Sequence, residues 1–325
     1  MEKSVKKEGF LSIALPAMLC CALWGSAFPC IKIGYRLFEI NSANTADVIL
    51  FAGMRFIVSG LLVLLIAFIG GNGFIKLKKD AVGSVLIVSM FQTILQYGFF
   101  YIGLVHTTGV KASIITGSNV FFVILISSLL FKEEKFTLKK FIGVAVGFVG
   151  VVLVNLTSDG SGAGLTLNGD GFVLIAAISY GFSSACLKKF SAKHSTLMLS
   201  AYQFLFGGII LLLFGLMLGG RVTHYTFSGI MMLLYLGFIS AAAYSLWGKL
   251  LASHEVSKVA VYGFTNPVFG VIFSRILLPD ENSALGLTVI LALALVCTGI
   301  FIINSNGNEI RKRRLNGKNT IFYKY

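Results

Sequence analysis

Charge is scarce in this chain: only 12% of its 325 residues are Asp, Glu, Lys or Arg, where a soluble domain carries about 25%. Apolar residues make up 56% and the mean hydropathy is +0.88. This combination excludes a soluble globular domain of any size beside the apolar runs. Acid is scarcer than base, with 13 Asp and Glu against 27 Lys and Arg. None of the acids lies deep in an apolar run. Asp47, Asp80, Asp170, Asp280, Glu39, Glu133, Glu134, Glu255 and Glu281 all fall in loops or at run ends. A proton relay or a cation site in mid-bilayer ordinarily uses a carboxylate, so a pump of lipophilic cations built on a buried Glu is disfavoured. The five cysteines sit in apolar runs without metal-ligand spacing, so neither a disulfide framework nor a metal site is expected. The four histidines lie near run ends. There is no phosphate-binding loop and no pair of intramembrane aspartates. No catalytic residue, cofactor or metal is expected.

What fills the chain is a series of apolar runs of roughly 20 residues, the length that crosses a bilayer as a helix. They fall at roughly 10–34, 47–70, 81–105, 108–131 and 138–156, then 168–188, 196–219, 227–251, 256–278 and 284–304. The expected fold class is all-α: a polytopic membrane protein of about ten spans. The first run follows Lys3, Lys6 and Lys7 as a signal peptide would, but it is too long for a cleaved segment and has a counterpart later in the chain.

That counterpart belongs to a duplication. Tyr97, Lys111 and Asn119 recur 147 positions on as Tyr244, Lys258 and Asn266. Gly150 and Asn155 recur as Gly299 and Asn304, and Trp24, Gly25 and Lys32 as Tyr180, Gly181 and Lys188. Five spans per copy is an odd number, which places the second copy upside down relative to the first. The expected division is a first repeat at 1–156, an inter-repeat loop at 157–167, a second repeat at 168–304 and a basic tail at 305–325.

The net charge of +14 reads as topology rather than nucleic-acid binding. With the N-terminus inside, twenty of the 27 basic residues fall on the inner side and only Lys32, Arg36, Lys111, Arg221 and Arg275 on the outer side. Both termini are therefore expected in the cytoplasm and the chain in the plasma membrane. Lipid headgroups, not RNA, are the expected partner of the tail. A homodimer is left open.

Polar residues inside the spans mark the candidate substrate site. Arg55 lies about a third of the way into span 2, where a charge costs about 2.5–3.5 kcal/mol on insertion scales and needs a partner or an aqueous cavity. It either attracts an anionic group of a solute or ties helices together. In span 9, Lys258, Tyr262, Thr265, Asn266 and Phe269 share one helix face, and Pro267 would open that face and serve gating. Asn119 stands at matching depth in span 4. Span 3 puts Gln92, Gln96, Phe99 and Gly103 on one stripe, with Tyr97 beside it. Trp24, Tyr180, Tyr244 and Trp247 supply aromatic walls. A cavity of aromatics and a few amides suits a small amphipathic organic molecule. Interhelical hydrogen bonding is the competing use of the same polar residues.

Several of these segments resemble one family. They are Trp24-Gly25-Ser26-Ala27-Phe28, Arg55-Phe56, Tyr101-x-Gly103-Leu104, Leu130-Phe131-Lys132-Glu133-Glu134, Asn266-Pro267-Val268 and Leu277-Leu278-Pro279-Asp280-Glu281. In this order, and with the duplication, they are similar to the EamA-type branch of the drug/metabolite transporter superfamily. The resemblance implies ten helices in two inverted five-helix repeats around a central cavity. It also implies secondary transport of small metabolites, often amino acids and often outward. The chain departs from the family's pattern at Val120, where a proline is common, and at Glu133 and Asp280, where glycine is common. The expected function is export of a small organic metabolite by alternating access, with a channel or a non-transporting scaffold as the rival readings.

Overall fold

Inside a bilayer each backbone N–H and C=O must be satisfied within the protein, which leaves apolar runs like these the helix as their form. The computed structural model describes residues 10–107, 112, 115–156, 166–278 and 287–305. Among the described residues there are ten helical segments and no strand. We number them α1 (Phe10–Leu37), α2 (Thr45–Gly71), α3 (Lys79–Leu104), α4 (Ile115–Leu130) and α5 (Leu138–Leu156). The second set is α6 (Leu167–Ser191), α7 (Thr196–Met217), α8 (Phe227–Ser253), α9 (Val256–Leu277) and α10 (Leu287–Asn304). Seven of these are long and apolar enough to cross a membrane, and α4 and α10 hold shorter apolar stretches. The fold is a polytopic helical membrane protein.

The helix ends gather into two layers. At one end Tyr202 at the start of α7 donates to the carbonyl of Ile75 after α2, and Lys188 of α6 donates to carbonyls at the end of α8. Lys139 of α5 donates to the carbonyl of Ser305 after α10. At the other end the Arg221 N–H donates to Asp47, and Thr107 to Asp170. Successive helices therefore run up and down. The first layer carries Lys76, Lys78, Lys79, Lys132, Lys135, Lys139, Lys140 and Lys193, and we call it the lysine-rich end. Gly71 (φ 79°) and Gly73 (φ 63°) stop α2 there in a conformation that side chains other than glycine resist.

Helix pairing repeats itself in mirror order. α2 packs on α7, and α5 on α10. α1 packs on α8 and α9, as α6 does on α3 and α4. Without a hydrophobic drive between helices in lipid, close packing through small residues holds such pairs. A Cβ on Gly53 would lie 2.4 Å from the Leu212 nitrogen, and one on Gly208 2.7 Å from the Ile57 nitrogen. Both glycines and their partners are related by 155 positions. Gly60 against Leu205 and Gly215 against Leu50 repeat the pattern, as do Gly150 against Ala292 and Gly299 against Gly143. Gly25 meets Phe269 where Gly181 meets Phe122. The molecule is thus two inverted five-helix repeats about a local two-fold axis. One consequence was hidden in the sequence: α1 and α6 are exchanged, each packing chiefly on the opposite repeat. The motif positions Lys111 and Pro279–Glu281, residues 157–165 and the tail beyond Ser305 lie outside the described residues.

Candidate functional site

The two repeats meet at a pair of tyrosines. Tyr97 of α3 and Tyr244 of α8, equivalent positions of the two repeats, place their hydroxyl oxygens 3.0 Å apart. Aromatic rings enclose the pair. Phe56 sits 4.5 Å from the Tyr97 ring and stacks on Phe204 at 5.5 Å, and Phe204 meets Tyr244 edge-on at 5.2 Å. Trp24 of α1 meets Tyr244 at 5.0 Å and Trp247 at 5.1 Å, both edge-on. Tyr180, the equivalent of Trp24, is half-buried against the same two apolar clusters. Edge-to-face contacts of this kind fix ring positions beyond what area burial supplies.

Arg55 is buried beside this group. Its Nη2 donates to Ser240 Oγ at 2.9 Å, and its guanidinium stands 5.0 Å from the centre of the Phe56 ring and 5.9 Å from that of Tyr97. Among the described residues no carboxylate comes within ion-pair distance of it. Its Nε has no acceptor. Arg55 therefore ties α2 to α8 and keeps one charged donor uncommitted. The rings offset part of the desolvation cost by cation–π attraction.

Asn119 and Asn266 share a local feature. Each has a buried Oδ1 with no donor. Each follows a break in its helix. In α9 the backbone tightens to a 3-10 turn at Val261–Phe264, and Thr265 Oγ1 donates to the Tyr262 carbonyl at 2.7 Å. In α4 the equivalent Ser118 Oγ donates to the Ile115 carbonyl at 2.5 Å, and the helix restarts at Asn119. The expectation tied the break to Pro267. Val120 stands in the proline's position in α4, so a break at this place occurs in one helix with a proline and in one without, each beside a hydroxyl bonded to a backbone carbonyl. Trp24 Nε1, Gln96 Oε1 and Tyr262 Oη are likewise buried and unpartnered. The middle of the molecule thus holds donors on Arg55 and Trp24, acceptors on Gln96, Asn119 and Asn266, and a hydroxyl on Tyr262. Buried polar groups normally find partners, so this concentration suits a polar solute.

Span 3 differs from its expected stripe. Residues Met90–Leu95 form a π-helical turn, so Gln92 and Gln96 do not keep α-helical register. Gln92 is buried. The wide turn turns Thr93 toward α7, where its Oγ1 donates to Gln203 Oε1 at 2.5 Å and Ser89 Oγ donates to the Gln203 carbonyl at 2.9 Å. Gln203 keeps an unpartnered Nε2. Neither Gln203 nor Ser240 was singled out in the sequence. The signal for Gln203 was a lone amide in an apolar run; Ser240 gave none, because serine is common in such helices.

Two inverted repeats around polar groups in the membrane are an arrangement that carriers use. The chain belongs to the EamA-like transporter family, whose sequence profile matches residues 11–156 and 167–305. It is 28% identical to the uncharacterized transporter YvbV of Bacillus subtilis over 79% of this chain and 82% of that protein. A probable amino-acid metabolite efflux pump of Salmonella typhimurium is 27% identical over 94% of this chain and 97% of its own length. A solved crystal structure at 16% identity superposes with a TM-score of 0.72, covering 94% of this chain and 98% of that one, which shows the same fold.

Proposed function

We propose that this membrane transporter is a secondary carrier that exports a small amino-acid-like metabolite by alternating access. The observation that carries the reading is the set of buried unpartnered groups on the spans, of which Arg55 and Trp24 stand against the Tyr97–Tyr244 pair. Arg55 and Trp24 offer hydrogens to a carboxylate, while Asn119, Asn266 and Gln96 offer oxygens to an ammonium. The aromatic rings of Trp24, Tyr180, Tyr244 and Trp247 would take an apolar side chain. The name of the Salmonella relative points to the same solute class and to the outward direction. A site near the middle of two inverted repeats meets the need of a carrier, which must present one site to each side in turn. The lysine-rich end faces the cytoplasm in this reading, with both termini inside and the cell membrane as the location.

Counterflow in proteoliposomes tests it. Vesicles loaded with a mixed pool of unlabelled amino acids should take up labelled ones saturably, and Asn266→Ala should cut that uptake about tenfold or more, since it removes an acceptor for a charged group. Flux that grows linearly with solute and ignores the internal pool would indicate a channel. Full counterflow in both Asn119→Ala and Asn266→Ala would remove these asparagines from the site.

A further inference from the structure

The lysine-rich end holds a charge network that the central site does not use. Glu134, in the loop between α4 and α5, has a side chain only 4% exposed. Ser257 at the start of α9 donates its N–H to both carboxylate oxygens, at 3.2 and 3.3 Å, and its Oγ to Oε2 at 2.8 Å. Lys140 Nζ of α5 stands 3.0 Å from the same Oε2 and 3.9 Å from Glu255, which pairs with Lys258 at 3.3 Å. From the other side Lys188 of α6 donates to the carbonyls of Ala252 and His254, at 3.0 and 2.9 Å. The turn between α8 and α9 is therefore gripped from two directions. Glu134 belongs to the first repeat and Ser257 to the second, 123 positions away.

The chemistry of this contact makes it conditional. A buried carboxylate is tolerated only while its cation and donors surround it. Those donors sit on both sides of the seam between α4 and α9. If the seam parts, Glu134 loses Ser257 and water takes its place. The carboxylate then keeps Lys140 alone, in an exposed pair of small worth. The network thus favours one arrangement of the two helices and is lost in the other.

We propose that Glu134 is the latch that holds the lysine-rich mouth closed during the transport cycle, by binding Ser257 across the repeat boundary. The inference rests on the alternating-access reading, but its test needs no solute. Spin labels on Lys135→Cys and Ser253→Cys, both exposed, would bracket the seam, with the exposed Cys297 replaced by Ala. Pulsed dipolar spectroscopy should give a short distance population in the labelled parent. Glu134→Gln should raise the ratio of long to short distances about tenfold, the worth of a charged hydrogen bond. Ser257→Ala, which leaves the backbone donor in place, should raise it less. An unchanged distribution in monodisperse Glu134→Gln protein would overturn the latch. Should that variant fail to fold, Ser257→Ala combined with Lys140→Gln decides, and an unchanged distribution there overturns it equally. A longer population in Glu134→Gln, with no counterflow of any amino acid by the parent, would keep the latch and remove the amino-acid carrier. Counterflow by the parent with unchanged distances would do the reverse.

Discussion

At the scale of the residue, Arg55 concentrates the chemistry of the centre. It is a permanent charge in a helix that crosses lipid, it is held by one serine and two aromatic faces, and one of its donors is uncommitted. If the solute carries a carboxylate, Arg55→Leu should weaken its binding in counterflow by about 1.5–3 kcal/mol, roughly tenfold to a hundredfold. Arg55→Lys should recover only part of this, because an ammonium cannot serve Ser240 and a solute in the same planar geometry. Equal affinity in all three proteins would assign Arg55 to helix tethering alone. Arg55 was visible in the sequence because a guanidinium in an apolar run has no cheap explanation. Asn119, Asn266 and the tyrosine pair were visible because they recur at one interval. The Thr93–Gln203 contact was not, since a threonine in such a helix is ordinarily satisfied by its own backbone, and only the neighbouring helix reveals otherwise.

At the scale of the element, the spans themselves were legible from apolar length, and among the described residues their ends fell within a few residues of the runs, the starts of the fourth and tenth runs lying outside those residues. The departures from α-helical register were not. A π turn at Met90–Leu95 or a 3-10 turn at Val261–Phe264 changes hydrogen bonding by one residue per turn and leaves the apolar pattern intact. The glycines have the opposite character: their number was plain, but their partners were hidden. A Cβ on Gly53 would run into the backbone of Leu212, which cannot swing aside, while one on Gly98 meets nothing within 4 Å. Gly53→Ala should therefore cost about 1–3 kcal/mol of overpacking and lower the midpoint of thermal unfolding in detergent. Gly98→Ala should hold or raise that midpoint, since alanine is the better helix former by about 0.5–1 kcal/mol. If both variants unfold at the same temperature, the α2–α7 contact is looser than these distances state.

At the scale of the whole molecule, the inverted duplication was legible in residue intervals, but the exchange of α1 and α6 was not, because chain order does not say which neighbour a helix chooses. If the proposed carrier works by rocking, the exchange redraws the units that move. The sequence suggests that one repeat moves against the other. The packing instead joins α1 to α8 and α9, and α6 to α3 and α4, leaving α2 against α7 and α5 against α10 as the tightly packed joints between repeats. Two disulfide bridges separate these schemes. The native Cys20 of α1 donates to the carbonyl of Ala243 in α8 at 3.4 Å, so Ala243→Cys would bridge helices within one such unit. A Cβ on Gly263 of α9 would lie 3.2 Å from Val120 of α4, so Val120→Cys with Gly263→Cys would bridge the two units. Both pairs go into protein with the remaining native cysteines replaced by Ala, and with Cys20 also replaced for the second pair. Oxidation should leave counterflow intact in the first and stop it in the second, with reduction restoring it. The scheme in which the sequence repeats rock as blocks expects both bridges to block, since each also joins first repeat to second. Retained counterflow across the Cys20 bridge would therefore show that α1 travels with the helices it packs on.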